Sequence, residues 1–323
     1  MPDTDEETLY TSPFRSWYSK ASVRSAPRRQ FDVADENAKY YFPPQHVPIA
    51  SHPLVKALPP ALYQEVLIQH LYRYQDFTAK LEHLVVNRTA LAIAHGTTGL
   101  HLPEAMRMDA YKVYCDEAYH ALFSADVIAQ VQAHTSVRPL LPDTPYFLRR
   151  LLQIQQEQPP HLRDLTGLLF VIVSETLISG SLTEIPDDPD VAPIVRDVIR
   201  DHAGDEGRHH TYFVHFLRHL WAQLDPEQRK QAGRLVPRLI STFLDPDLDA
   251  INEELLGYRI ARDAAEQIIA ETFTDEVVRT ARANMARQTV RHFVSLDVLD
   301  DAAAEEEFNR NGLLTAQPTT ATR

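Results

Sequence analysis

The chain has 323 residues, 44% of them apolar, which is ample for a substantial core arranged as one large domain or two ordinary ones. Its formal net charge of −13 argues against nucleic-acid binding, which requires a basic face to displace phosphate counterions. A single cysteine excludes an internal disulfide framework and any cysteine-rich zinc or iron–sulfur site; it fits a reducing cytoplasm, with Cys115 expected as a small core residue.

Residues 1–50 read as an irregular arm. Pro13, Pro27, Pro43, Pro44 and Pro48 forbid a long helix, and Arg15, Lys20, Arg24, Arg28 and Arg29 make the segment locally basic, so it is expected to lie solvated against the acidic body. Its first residues, Met1 to Glu7, lack the basic flank and apolar run of a secretory signal. From Pro60 onward the apolar residues recur with helical periodicity, in segments near 61–95, 103–134, 144–157, 160–183, 188–222, 226–243 and 247–299, the last with a break or two. Prolines fall at the junctions, and nine glycines are few for a strand-rich chain. The most apolar stretch, Leu165 to Leu182, has the length of a membrane span. Glu175 within it, and Pro186, Asp187 and Asp188 just after it, identify it instead as a buried helix with no membrane partner. From 301 the acidic run Glu305-Glu306-Glu307 and the polar residues after it predict a flexible tail. The expected organisation is an arm over 1–50, a helical domain over 51–300 and a tail over 301–323.

The residues that carry chemistry lie on four of these helices. Glu117 and His120 are three apart and project from one helical face, so both can reach one metal ion. The same Glu-x-x-His pattern returns at Glu206 and His209, and His202, four residues before Glu206, extends it to three metal-capable side chains on a single stripe. Gly204 and Gly207 interrupt that stretch at a cost of about 1 kcal/mol each relative to alanine, which points to close packing, to room for a ligand, or to a loop. Glu175, centred in an apolar helix, must be paired, protonated or metal-bound, because an isolated buried charge is expensive. Glu82 completes the set. A two-metal bundle site takes one glutamate from each of two helices and a Glu-x-x-His from each of two others, and Glu82 has more apolar neighbours than its competitors Glu65, Asp76 and Glu104. Four carboxylates neutralise two divalent cations in a low-dielectric core. The mixed carboxylate and imidazole set suits iron, with manganese as a substitute, better than calcium, magnesium or structural zinc. Asp116, Tyr119, Asp201, Asp205, Arg208 and His210 are the candidates for orienting the ligating imidazoles.

In these residues the chain resembles the p-aminobenzoate N-oxygenase-like family of non-haem di-iron oxygenases. The resemblance rests on Asp116-Glu117-Ala118-Tyr119-His120, on Ser174-Glu175-Thr176-Leu177 and on the His-x-x-x-Glu-x-x-His run from His202 to His209, with Glu82 in the expected order, and it covers about 60 to 300. The additional histidine four residues before the last glutamate, here His202, separates this family from generic ferritin-like sites. The resemblance implies an all-α protein with a ferritin-like four-helix bundle core, additional helices and an irregular N-terminal arm. It also implies two iron ions held by Glu82, Glu117, His120, Glu175, His202, Glu206 and His209. The implied activity uses O2 as co-substrate to N-oxygenate a small-molecule primary amine, aromatic or amino-acid-derived, free or tethered to a carrier protein. Hydroxylamine, nitroso or nitro products would result, with reducing equivalents from an external electron donor, in natural product biosynthesis. Homodimerisation is a further expectation. The other readings are a di-iron C-hydroxylase or desaturase and a ferritin-like metal-storage protein.

Overall fold

The computed structural model describes residues 10–178 and 185–314. The expectation drawn from Met1 to Glu7, the last residues of the 160–183 segment and the end of the expected tail fall outside the described residues. Among those described the chain is all-α, with a ferritin-like bundle core; the one β feature is an isolated bridge between Tyr40 and Val191. No helix among them is long and apolar enough to cross a membrane.

Prolines start the principal helices, at the first helical position of four of them, where a residue needs no intrahelical N–H partner, and at the cap just before two others. Helix α1 (Pro60–Leu81) runs through a π-helical turn, Glu82–Val86, into α2 (Asn87–His95), which Gly96 ends in the left-handed conformation at φ 68°. Then come α3 (Glu104–Thr135), α4 (Tyr146–Glu157), α5 (Pro160–Leu177) and α6 (Pro193–Gln223). Helix α7 (Pro226–Leu244) begins with a capping box in which Asp225 accepts from the amides of Glu227 and Gln228. The segment read as one long helix with a break or two from 247 to 299 is three: α8 (Leu248–Gly257), α9 (Arg262–Thr272) and α10 (Asp275–Val294). Helix α6 starts at Pro193, later than the 188 expected, since Asp190 to Ala192 are committed to the bridge with Tyr40.

The α1–α2 rod packs on α3, α3 on α6, α6 on α5, and α5 closes the ring against α2 and the π-turn. Helices α7 and α10 cover the far side of α5, so α5 is buried on nearly every face, as its apolar composition requires. The stretch expected as tail from 301 instead carries a helix, α11 (Ala302–Arg310), docked on α7. Phe308 and Leu313, two apolar residues beyond the acidic run, are buried and anchor it.

The arm is more embedded than a solvated segment. Tyr10, Phe14, Trp17 and Ala21 are buried; the short helical turn Ser22–Ser25 lies on α3 and α6, and Trp17, in the turn Trp17–Lys20 before it, reaches Asp116 of α3. Asp35 accepts the Ile194 amide at 2.7 Å at the start of α6, while Arg28 and Arg29 pair with Asp126 and Asp201 at 2.8 Å each. Cys115, expected in the core, is exposed. Helical geometry gives the reason: the next two residues, Asp116 and Glu117, both face inward and are fully buried, which turns Cys115 outward.

Candidate metal centre

Each of the seven sequence-nominated side chains is buried at the centre of the bundle. The π-turn delivers Glu82, α3 delivers Glu117 and His120, α5 delivers Glu175, and α6 delivers His202, Glu206 and His209. The Nε2 atom of His202 lies 3.0 Å from Glu82 Oε1 and 3.1 Å from Glu206 Oε1. Nδ1 of His209 lies 3.0 Å from Glu117 Oε1 and 3.2 Å from Glu206 Oε1, and Nδ1 of His120 lies 3.1 Å from Glu117 Oε2. Glu175 stands at the edge of this group, its Oε2 4.0 Å from His209 Nδ1. The rival acids for the first position go elsewhere; Asp76, for example, pairs with Lys80 at 2.9 Å.

Ligand-capable atoms fall into two overlapping sets, Glu82/His120/His202/Glu206 and Glu117/His120/Glu206/His209, each contained within 4.8 Å. The two sets share His120 and Glu206, and each could hold a metal ion. The state of the atoms is compatible with that. Both carboxylate oxygens of Glu82, one oxygen each of Glu117, Glu175 and Glu206, His202 Nε2 and His209 Nδ1 are buried without a hydrogen-bond partner. Buried polar atoms are almost always satisfied, so a concentration of orphans aimed at one another fits divalent cations between them.

Two imidazoles are fixed from behind. His120 Nε2 is 3.0 Å from Asp205 Oδ2, and His209 Nε2 is 3.1 Å from Asp116 Oδ2, so each ring turns its Nδ1 toward the centre. Of the six nominated orienting residues, only Asp116 and Asp205 hold a ligand-set imidazole this way. Arg208 pairs with Asp205, Asp201 binds Arg29, and His210 contacts His292 and Gln288. Residues missed by the sequence reading complete the support. Trp17 Nε1 donates to Asp116 Oδ1 at 2.8 Å, and Ser22 donates its amide (3.1 Å) and hydroxyl (2.5 Å) to Asp205. Both come from the arm, 99 and 183 residues from their partners, where no local periodicity could have pointed to them.

Electrostatics follows from burial and proximity. Burial pushes Glu82 up to about 7, against the pull of His202, and lifts Glu175 well above the ordinary carboxylate range, with Glu117 and Glu206 adding repulsion. Burial disfavours charge on His120 and His209 too. Their carboxylate partners overcome it and raise both, and His202 rises to about 9 chiefly through Glu82. Asp205, despite burial, is held at about 2 by its hydrogen bond to His120. Apolar rings close the centre: Phe123 is 5.2 Å from the His120 ring and 5.9 Å from that of His202, and Phe14 is 5.9 Å from His209. Behind Phe123, a cleft of about 180 Å³ opens between α3 and α6, lined by the apolar Pro27, Leu122, Val127 and Val198, by Tyr119, and by the paired charges Arg28, Arg29, Asp126 and Asp201.

A ferritin-like helical bundle whose interior gathers four glutamates and three histidines defines the class: all-α proteins with a carboxylate- and imidazole-rich core that could bind metal. The particular family follows from comparison. Residues 3–296 match the family model described as p-aminobenzoate N-oxygenase AurF, and the chain belongs to that family. It is also 28% identical over 262 residues to the 4-aminobenzoate N-oxygenase of Streptomyces thioluteus, an alignment spanning 77% of each chain.

Proposed function

We propose that the chain is a non-haem di-iron N-oxygenase that converts a primary amine, aromatic or amino-acid-derived, to its hydroxylamine, nitroso or nitro form in secondary-metabolite biosynthesis. The observation that carries the reading is the convergence of buried carboxylate and imidazole atoms left without a hydrogen bond in a chain of this family. Family membership and a relative named for 4-aminobenzoate support an arylamine as the first substrate to try.

Glu82, Glu117, His120, Glu175, His202, Glu206 and His209 would hold the two irons. The chemistry these supply when bound is reduction of O2 and transfer of oxygen to the amine nitrogen, with electrons from an external donor. The chain's own contributions are positional. Asp116 and Asp205 keep His209 and His120 turned inward, so their Nδ1 lone pairs are presented rather than left to rotate. Phe14 and Phe123 pack on the imidazole side and would keep bulk water away from iron bound there. The cleft behind Phe123 is of a size that suits one aromatic ring, since an apolar cavity of about 150 Å³ accommodates benzene.

The test is direct. Protein reconstituted anaerobically with Fe(II) is assayed for iron per chain, then exposed to ¹⁸O2 with 4-aminobenzoate and a panel of aryl and amino-acid-derived amines. Two irons per chain and ¹⁸O on nitrogen, read by mass spectrometry, are expected. Iron-loaded protein that consumes O2 but oxygenates only carbon, or no amine at all, overturns the assignment.

A further inference from the structure

The two aspartates behind the imidazoles end on chemically different partners. Asp205 ends on Ser22 and Arg208, neither of which is a one-electron donor at accessible potentials. Asp116 ends on Trp17, and indole is one of the few side chains that can lose an electron reversibly. From the interior outward the path is His209, whose Nε2 is 3.1 Å from Asp116 Oδ2, and then Asp116, whose Oδ1 accepts from Trp17 Nε1 at 2.8 Å. It continues to the next residue in sequence: the Tyr18 ring lies 5.1 Å from the Trp17 ring, edge to face at 83°. Burial along the path is graded. His209 and Asp116 are fully buried, Trp17 is 7% exposed and Tyr18 is 72% exposed. Two hydrogen bonds and one ring contact thus connect the candidate metal centre to solvent.

The other aromatic residues near His209 do not make such a connection. Tyr212 is buried one turn further along α6 and donates to the Met106 carbonyl at 3.1 Å. Tyr10, 6.4 Å from Tyr212, donates to Asp109 at 2.7 Å. Neither shares a hydrogen bond with an acid that holds an imidazole, and neither has an exposed ring beside it like Tyr18.

We propose that Trp17 and Tyr18 form a one-electron relay that feeds the centre from the protein surface when O2 has oxidised it and no amine is bound to consume the oxidant. The proposal rests on the metal-centre reading above. In the first step Trp17 would give one electron to iron that O2 has oxidised at this site, and the resulting indole cation radical keeps its proton in the hydrogen bond to Asp116. In the second, Tyr18 gives one electron to Trp17 and its phenolic proton to water, restoring the indole and leaving a neutral tyrosyl radical at the surface. A soluble thiol or ascorbate then returns one hydrogen atom to Tyr18. The balance is one electron inward per cycle, and oxidising power leaves the core at a replaceable reductant instead of damaging the ligands.

The test uses full-length protein loaded with Fe(II), mixed with O2 in the absence of amine and freeze-quenched for electron paramagnetic resonance, with ring-deuterated tyrosine to assign the signal. Iron content and O2-dependent optical change are measured on every sample. Wild type is expected to give a tyrosyl radical that ascorbate removes. Tyr18→Phe, a change at an exposed ring, should replace it with a tryptophanyl signal; Trp17→Phe should lose the tyrosyl signal although Tyr18 is present. A tyrosyl signal that survives in either variant, or its absence from wild type whose iron is oxidised, overturns the relay while leaving the N-oxygenase reading intact. Protein that binds no iron, or whose iron is inert to O2, overturns both.

Discussion

Glu175 shows most plainly what the centre costs the metal-free protein. It sits 1% exposed in the most apolar helix, its carboxyl pushed toward the neutral form by burial and by Glu117 and Glu206. A buried acid held for a cation is a liability without one, because it has been taken out of water for an interaction not yet made. Glu175→Leu, close in volume, should therefore lower bound iron while leaving the metal-free fold as stable as before or more stable by up to about 3 kcal/mol. Metal analysis and urea unfolding of chelated protein check the two halves separately, and a large loss of metal-free stability would count against a ligand role. Asp116 makes the opposite kind of contribution, acting on His209 rather than on a metal. Asp116→Asn should weaken iron binding about 10- to 100-fold, read by competition with a chromogenic chelator. Asp116 was legible in the sequence as a neighbour of Glu117; its partner Trp17 was not, because the contact is set by how the arm folds back.

At the scale of elements, most of the bundle could be read from periodicity and proline punctuation, but the π-turn could not. Sequence patterns report which residues are buried but not local changes in helical winding. Glu82 lies where α1 passes into a π-turn, whose extra residue shifts the register between α1 and α2. With that turn in place, Glu82 and the buried Asn87, Ala90 and Ile93 of α2 all face the interior. Deleting Leu84, an exposed residue of the turn, would restore regular winding and rotate one part of the rod by about 100° relative to the other. Loss of Glu82 from the centre, or of the α2 packing face, should follow, seen as reduced iron per chain together with a lower melting temperature. Gly204 and Gly207 yield a different lesson. Neither packs closely and neither ends the helix: α6 continues through both, and a Cβ built at either meets nothing within 4 Å. Each exposed glycine is then a plain propensity loss, so Gly204→Ala and Gly207→Ala should each stabilise the protein by roughly 0.5–1 kcal/mol in chemical denaturation without changing iron content.

The whole molecule couples protons, metal and stability through its centre. Glu82, at about 7, and Glu175 keep protons in the folded state above the pH at which the unfolded chain releases them, so each makes the metal-free fold less stable as pH rises past the ordinary carboxylate range. His120, His202 and His209 are raised as well. The stability they contribute is complete below the ordinary imidazole pKa of about 6.5 and is lost as pH rises through their folded values, about 9 for His202. For His202 alone this amounts to something on the order of 3 kcal/mol. Asp205, Glu117 and Glu206, all lowered, act in the opposite sense, but their contribution is lost only on acidification, toward about 2 for Asp205. Between about 6.5 and 9, therefore, the raised groups decide the slope, and metal-free protein should melt at progressively lower temperature. A divalent cation bound by the same atoms must displace those protons, so its affinity grows as protons become easier to remove. The rise in melting temperature produced by anaerobic Fe(II) or by redox-inert Mn(II) should accordingly widen over this window. Differential scanning fluorimetry of chelated and metal-loaded protein at matched ionic strength measures both curves. A metal-induced increment that is flat with pH would mean that the cation is held somewhere other than at these buried glutamates and histidines.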